Sequence, residues 1–230
     1  MTYTLLWLAL ICAIVDWIAV AAQIKKLEYF AKPGTMLLLI VWILQVSGPS
    51  GILGSGLFWF VLGLAFSLAG DVFLMLPREQ FIAGLLSFLL AHVAYIIGIN
   101  QIPPVLNLPA IILVVAIGLV WFRLYRIISM SLKSSGQSKL VMPVLVYSLV
   151  ISIMLLSALL TLTAEKWETP AALSLSAGAL LFFISDTLLA WNKFVNPLRF
   201  GRLAVIITYH LGQVLITLGA IQQFLVQTSI

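Results

Sequence analysis

Apolar segments long enough to cross a bilayer follow one another along nearly the whole chain, and they limit the fold more than any other feature. A membrane-spanning helix needs about 20 consecutive, mostly apolar residues. Hydrophobic residues make up 63% of the chain and charged residues 8%, which excludes an ordinary soluble domain. The predicted spans are residues 2–23, 35–46, 51–76, 80–99, 105–127, 140–163, 171–193 and 199–225. The sequence therefore predicts an all-α, multi-pass membrane protein whose eight transmembrane helices form one domain, residues 1–230.

Prolines mark most of the breaks between these spans. A proline removes a backbone donor and disrupts the interior of a helix, so each one is predicted to lie outside the spans. The prolines concerned are Pro33, Pro49, Pro77, Pro103, Pro104, Pro170 and Pro197. The longest polar connection, residues 129–139, is predicted to be a mobile loop.

Basic residues are concentrated at alternate connections. Of the twelve lysines and arginines, only Lys166 falls at an even-numbered connection. Positive residues favour the cytoplasmic side, so both termini are predicted on the non-cytoplasmic side, in a bacterial inner membrane. The net charge of +5 is thus a topology signal, and no nucleic-acid partner is expected. Because Cys12 is the only cysteine, an internal disulfide and a cysteine-based metal site are excluded.

Two acidic residues lie inside predicted spans at matching positions. Asp71 precedes Arg78 by seven residues, and Asp186 precedes Lys193 by seven. At 1.5 Å per residue, each carboxylate would lie about 10 Å inward from its basic anchor. A charge at membrane depth costs about 2.5–3.5 kcal/mol on insertion scales and usually marks a functional site. Asp71 and Asp186 are therefore predicted to share one site.

Polar side chains on neighbouring spans could complete that site. Residues three or four apart share a helix face, which pairs His92 with Tyr95, Tyr209 with Gln213, and Ser67 with Asp71. These side chains, together with Asp16, are candidate substrate-binding residues. Several of them could instead have structural roles. A lone histidine such as His92 is more often a hydrogen-bond donor between helices, and Ser67 can form a hydrogen bond across helices. Asp16 is as readily a structural residue as a site residue. Asp71 or Asp186 could also reach water near a span end.

The third and fourth spans resemble the seventh and eighth. F-x-x-x-G-D is followed by A-H-x-x-Y in the first pair, and F-x-x-S-D by Y-H-x-x-Q in the second. This pattern suggests a four-plus-four duplication.

The motifs taken in order resemble the YhhN, or lysoplasmalogenase, family. They are G-D in the third span, A-H-x-x-Y in the fourth, S-D-x-x-L-A followed by N-K-F in the seventh, and T-Y-x-x-x-Q in the eighth. Family members with an assigned activity cleave the vinyl ether bond of lysoplasmalogens, releasing a fatty aldehyde and glycerophospho-ethanolamine or -choline. The resemblance implies that Asp71 and Asp186 are the catalytic residues and adds Asn192, of the N-K-F motif, as a substrate-binding candidate. The eighth-span motif departs from the family at His210 and Gly212.

The chemistry of vinyl ether hydrolysis suits two carboxyl groups. One protonated acid delivers a proton to the β-carbon, and one carboxylate stabilises the resulting oxocarbenium ion and activates water. Two acids in a site of low dielectric do not both ionise easily, and glycosidases divide the same roles between two carboxyls. The residues leave open which aspartate is the acid. The reaction needs no cofactor, and its lysophospholipid substrate arrives from the bilayer.

Two other functions use the same residues. A proton-coupled transporter of small solutes or lipids could use Asp71 and Asp186 as a proton relay. A metal-dependent hydrolase could use Asp71, His92 and Asp186 as ligands, although the paired histidines typical of such sites are absent from the sequence.

Overall fold

The computed structural model describes residues 3–52, 55–76, 80–105 and 107–226. Within these residues, eight helices are long and apolar enough to cross a membrane. They are α1 (Thr4–Ala21), α2 (Lys25–Ile52), α3 (Leu57–Met75), α4 (Phe81–Ile99), α5 (Leu108–Ser134), α6 (Val141–Leu160), α7 (Thr169–Phe194) and α8 (Gly201–Val226). The predicted all-α fold with eight membrane-spanning helices is confirmed. Pro77 and Arg78 lie outside the described residues.

The second helix is much longer than the sequence predicted. It begins at Lys25, continues through Pro33 and bends at Gly48, where φ is 64° and ψ is 170°. The prediction that Pro33 lies outside a span is therefore wrong, whereas Pro49 follows the apolar span, which ends at Gly48. A proline inside a helix removes one backbone hydrogen bond. If the helix ended at Pro33 instead, several backbone groups would be left without hydrogen-bond partners in the lipid. The first turns of α2, and not a loop, therefore carry Lys25 and Lys32.

Four other prolines lie between helices or in the first turn of a helix. Pro103, Pro104 and Pro197 lie between helices, as predicted. Pro170 instead lies in the first turn of α7, where its fixed φ suits a helix and no backbone donor is lost.

The fifth helix replaces most of the predicted polar loop. It extends to Ser134, so the prediction of a loop over residues 129–139 is wrong for its first half. The Ser131 hydroxyl donates to the carbonyl of Phe194 at the end of α7. Leu132 is fully buried in a small cluster with Ile128 and Phe194. Packing against α7 therefore keeps this polar stretch helical.

Contacts between distant helix ends fix the arrangement of the bundle. Helix α3 packs on α4, α7 on α8 and α1 on α2, whereas α5 contacts mainly α6 and α7. At one end of the bundle, Arg202 pairs with Glu28 and the Lys193 ammonium lies 4.8 Å from the ring centroid of Phe81. The first, third and seventh connections therefore meet at that end. The cytoplasmic orientation of this end and the internal duplication stay predictions.

Helices α7 and α8 approach each other backbone to backbone. A Cβ placed on Gly212 would lie 3.0 Å from the carbonyl oxygen of Gly178, and one placed on Gly178 would lie 2.6 Å from the amide nitrogen of Ile216. Small residues permit such close helix packing in membranes. The departure from the family motif at Gly212 is thus matched by a glycine on the facing helix.

Candidate active site

Asp71 lies in the centre of the bundle, on α3. Its side chain is 0% exposed, and the Lys32 ammonium of α2 lies 2.9 Å from Oδ1. The Tyr209 hydroxyl of α8 donates to Oδ2 at 2.7 Å. Gly70 brings the neighbouring helix close, because the ring of Phe88 occupies the place where a Cβ would lie. Asp71 is therefore a buried carboxylate with one cationic and one hydroxyl partner.

A second polar layer lies one helical turn from Asp71. The Gln213 amide donates to the Ser67 hydroxyl at 2.9 Å, and the Tyr95 hydroxyl donates to the Gln213 carbonyl oxygen at 2.7 Å. Ser67 precedes Asp71 by four residues and Gln213 follows Tyr209 by four, as expected for two antiparallel helices in register. These buried side chains satisfy one another and brace α3, α4 and α8. A substrate contact with any of them would require one of these hydrogen bonds to open.

Asp186, on α7, has different partners. The Tyr147 hydroxyl of α6 donates to Asp186 Oδ2, and His92 Nε2 of α4 lies 3.3 Å from the same oxygen. His92 Nε2 is also 3.1 Å from the Tyr147 hydroxyl oxygen. The His92 ring lies 4.7 Å from the ring of Phe182, centroid to centroid. The acid of α7 is thus held by a hydroxyl and an imidazole.

Three aromatic rings pack against one another next to the partners of the two acids. We call them the aromatic layer: Phe88, Phe182 and Tyr209, with centroid separations of 5.4 to 6.2 Å. Among the described residues, each carboxylate forms its hydrogen bonds with its own partners. The ring of Phe182 packs against both Tyr209, a partner of Asp71, and His92, a partner of Asp186.

An apolar crevice lies between α4, α5, α6 and α7. Its volume is about 70 Å³, and Asp186 and Tyr147 contribute polar groups to a wall that is otherwise mostly apolar. The apolar part of the lining includes Leu85, Phe88, Trp121, Leu124, Ile151 and Phe183. The Asp186 carboxyl group therefore lies in the wall of an apolar crevice.

A cationic pocket of about 440 Å³ opens at the end of the bundle where α2, α7 and α8 meet. The charged side chains that line it are Lys25, Glu28, Lys32, Lys193 and Arg202. Asn192 also lines it, and its Oδ1 accepts a hydrogen bond from the Leu198 amide at 2.8 Å. Leu74 and Leu189 line both this pocket and the apolar crevice. A chain in the crevice and a polar group in the pocket would therefore be separated by two leucine side chains.

Asp16 is, with Asp71, one of the buried acids of the bundle. It is fully buried on α1, and neither carboxylate oxygen has a hydrogen-bond partner among the described residues. It interacts electrostatically with Lys32 and Asp71, but it does not line either cavity. Nearby, His210 Nδ1 accepts a hydrogen bond from the Trp17 indole at 3.2 Å. His210 thus packs against α1 and points away from the crevice.

Sequence reasoning missed Lys32 and Tyr147, which contact the two acids directly. Lys32 counted only as a topology signal, although its seven-residue spacing from Lys25 puts both on one helix face. Tyr147 stands in an apolar span without any motif, so no local pattern distinguished it. Within the described chain, no three histidine, cysteine or acidic side chains are grouped to hold a metal ion. The metal-dependent alternative therefore has no ligand set there.

The fold and the site define an integral membrane protein with acidic side chains inside its helical bundle, an apolar crevice and a charged pocket. The family model described as the YhhN family matches residues 27–220. This chain belongs to the YhhN family.

Curated relatives with known names extend this comparison. Lysoplasmalogenase TMEM86B of Homo sapiens is 30% identical over 204 residues, which cover 88% of this chain and 76% of the human protein. Lysoplasmalogenase TMEM86B of Sus scrofa is 33% identical over 156 residues, 68% of this chain and 60% of the pig protein. A lysoplasmalogenase of Mycobacterium tuberculosis (strain CDC 1551 / Oshkosh) is 30% identical over 171 residues, 70% of this chain and 59% of that protein. The match thus spans less than two thirds of the pig and mycobacterial proteins. No solved structure matches this chain.

Proposed function

We propose that this protein hydrolyses the vinyl ether bond of lysoplasmalogens, giving a fatty aldehyde and a glycerophospho-ethanolamine or -choline. The names of its curated relatives support this activity. The observation that carries it is the placement of the Asp186 carboxyl group in the wall of an apolar crevice that adjoins a cationic pocket.

The two cavities suit the two halves of such a lipid. The alkenyl chain would occupy the apolar crevice, and the glycerophospho group would lie towards the cationic pocket. The vinyl ether bond then lies near the junction formed by Leu74 and Leu189. Burial of a hydrocarbon chain contributes about 0.8 kcal/mol per CH₂ group, so the crevice supplies binding energy while the junction positions the reacting bond.

The reaction proceeds by protonation of carbon. Asp186 donates its proton to the β-carbon of the vinyl ether, and the α-carbon becomes an oxocarbenium ion. Water adds to the α-carbon and returns one proton to the carboxylate. The resulting hemiacetal collapses, so the glycerol oxygen leaves as a hydroxyl and the α-carbon becomes the aldehyde. One water is consumed, and the enzyme regains its proton.

The contacts support different roles for the two acids. Asp71 is ion-paired with Lys32, which suits the residue that stays a carboxylate. Because Asp71 lines neither cavity, its negative charge would stabilise the oxocarbenium ion from a distance. Asp186 has hydroxyl and imidazole partners on Oδ2, which fix its orientation. Among the described residues, Oδ1 is then the oxygen that can present a proton to a chain in the crevice.

The charge distribution supports a location for the protein. We infer that it lies in the inner membrane of a bacterium with the cationic pocket on the cytoplasmic side, because nearly all lysines and arginines lie in the odd-numbered connections or on the helix ends towards them. The same inference places both termini on the opposite side.

Hydrolysis of a lysoplasmalogen by purified protein tests the proposal. Asp186→Asn and Asp71→Asn should each lower turnover by about 10²–10⁴-fold, the usual contribution of a positioned acid or base. Glu165→Gln, which neutralises an exposed acid in the α6–α7 connection, should leave turnover unchanged. Full activity of either Asn variant would contradict the assigned roles. Uptake of substrate into liposomes that depends on a pH gradient, without aldehyde release, would instead support a transporter.

A further inference from the structure

Helix α5 covers the apolar crevice without being packed tightly into the bundle. Only 6% of its most apolar stretch is buried, against at least 33% in each of the other membrane-spanning helices of the described chain. Its buried side chains are Ala110 in the first turn and Ile128, Ser129 and Leu132 towards its end. Every residue of the stretch 111–127 keeps some exposure. The helix is therefore anchored near its two ends, and its middle borders the crevice and the lipid.

Hydrogen bonds tie α5 to two of its neighbours. The Trp121 indole donates to the Ser148 hydroxyl oxygen of α6 at 3.1 Å, and the Ser131 hydroxyl donates to the carbonyl of Phe194 of α7. Among the described residues, no hydrogen bond joins α5 to α4, and the backbone of α5 packs mainly on α6 and α7. Membrane helices are held together by packing and by interhelical hydrogen bonds. The edge of α5 towards α4 is therefore its least restrained edge.

Apolar side chains stand on both sides of this edge. Phe81 and Leu85 of α4 and Leu124 and Ile128 of α5 all line the crevice. Phe81 packs against the cluster that contains Ile128, which puts these two residues at one level. Consecutive membrane-spanning helices run in opposite directions, so Leu85, one turn after Phe81, is level with Leu124, one turn before Ile128. Both leucines are half-buried, and the gap between the two helices is apolar on both sides.

The crevice must widen before it can hold a lipid chain. Its volume is about 70 Å³, whereas pockets for drug-sized ligands measure roughly 300–1,000 Å³. Movement of α5 away from α4 would widen it on the side where no hydrogen bond has to break. A route through the cationic pocket would instead take the chain past charged side chains such as Lys32 and Arg202. It would also expose the CH₂ groups to water, which the hydrophobic effect opposes.

We propose that the crevice opens sideways into the lipid between α4 and α5, and that this entrance admits a single hydrocarbon chain from the bilayer. The identity of the ligand as a lysophospholipid rests on the proposed function, whereas the entrance rests on the packing of α5. Leu85 and Leu124 form the two sides of the entrance. The chain thereby moves from the lipid to the Asp186 carboxyl group without leaving apolar surroundings.

A reversible bridge across the entrance tests the proposal without requiring catalysis. Leu85→Cys and Leu124→Cys are combined in a Cys12→Ala background, which removes the only native cysteine. The full chain in phosphatidylcholine nanodiscs is bridged with a bifunctional methanethiosulfonate, which dithiothreitol removes. The probe is radiolabelled 1-O-alkyl-2-lyso-glycerophosphoethanolamine, whose saturated ether resists hydrolysis. If no bridge forms, the two positions do not flank one gap and the proposal fails.

The order of addition distinguishes an entrance from a general loss of structure. A bridge formed before the analogue is added should slow its association at least about tenfold, the effect of one decade in rate on the barrier to entry. A bridge formed afterwards should trap the bound analogue during washing, and dithiothreitol should reverse both effects. A monofunctional methanethiosulfonate, which labels the same two cysteines without joining them, should leave association and dissociation unchanged. Binding that is independent of the order of addition would overturn the proposal.

Neighbouring leucines of α4 supply a second, uncrosslinked comparison. Leu85 lines the crevice, whereas Leu86 is 55% exposed and does not line it. Leu85→Trp places a bulky side chain in the entrance and should slow association of the analogue, whereas Leu86→Trp should not. Equal association rates in the two variants would show that the chain enters elsewhere, for example past Leu74 and Leu189 from the cationic pocket.

Aldehyde release separates the entrance from the proposed activity. Trapping that depends on the order of addition, in a protein that never hydrolyses a lysoplasmalogen, would refute the activity and support the entrance. Normal hydrolysis by the fully bridged protein would refute the entrance and leave the activity intact. Hydrolysis that is lost on bridging and regained with dithiothreitol would support both.

Discussion

Replacement of Lys32 by methionine should destabilise the protein strongly, because it leaves a buried charge without its cation. Asp71 is 0% exposed, and its Oδ1 lies 2.9 Å from the Lys32 ammonium. Without the lysine, Tyr209 remains as its hydrogen-bond donor, on the other oxygen. Removal of one partner of a buried ion pair costs about 3–5 kcal/mol. For a chain of this size, about 2–4 °C per kcal/mol gives a fall in Tm of roughly 6–20 °C.

Loss of both charges should be far less harmful. Asp71→Asn in the Lys32→Met background removes the unpaired carboxylate, so most of the lost stability should return. Asp71→Asn alone should cost less than Lys32→Met, because the 14% exposed lysine can turn towards water in the cationic pocket. The four proteins form a double-mutant cycle, measured by thermal unfolding of purified protein in detergent.

The cycle has a clear control and a clear refutation. Lys26→Met removes an exposed lysine from the first turn of the same helix and should change Tm by no more than about 2 °C, since surface substitutions usually fall within 0.5 kcal/mol. If Lys32→Met behaves like Lys26→Met, or if the two single substitutions add in the double variant, the lysine and the buried acid are not coupled as the structure shows.

Three further substitutions test other contacts. Tyr147→Phe removes the hydroxyl that donates a hydrogen bond to the Asp186 carboxyl group. It should lower kcat about 10- to 100-fold, the value of one hydrogen bond to a charged group, with little change in KM. The control Tyr125→Phe, in the same crevice wall, should retain activity. Gln213→Leu removes the hydrogen-bond partner of the buried Tyr95 and Ser67 hydroxyls and should cost about 1–3 kcal/mol of stability, measured by thermal unfolding. An unchanged Tm would contradict the buried network. Gly178→Ala, whose Cβ would meet facing backbone at 2.6 Å, should lower Tm, whereas Gly118→Ala, with nothing within 4 Å, should keep or raise it.

The number of membrane-spanning helices could be predicted from the sequence for a simple physical reason. Insertion in a membrane depends on the summed apolar character of about 20 adjacent residues, which is a local property. The acids of α3 and α7 were also identifiable from the sequence, since a carboxylate in such a run is costly wherever the helix packs.

The extent of α2 was less accessible to sequence reasoning. Its first turns carry Lys25, Glu28 and Lys32, a composition typical of a loop at the membrane surface. In the structure, Glu28 pairs with Arg202 and Lys32 with Asp71. The partners of these side chains lie on α8 and α3, so no window of adjacent residues contains the interactions that keep this segment helical.

The sequence by itself determined that the chain contains eight segments apolar enough to cross a membrane, which the described residues form as helices, and that acidic residues lie within them, because transfer free energies add along the chain. Only the tertiary structure decided that Asp71 is paired with a lysine and that Asp186 is held by Tyr147 and His92. Those contacts depend on which helix faces meet, and a side chain's partners in a bundle are set by packing between residues far apart in sequence.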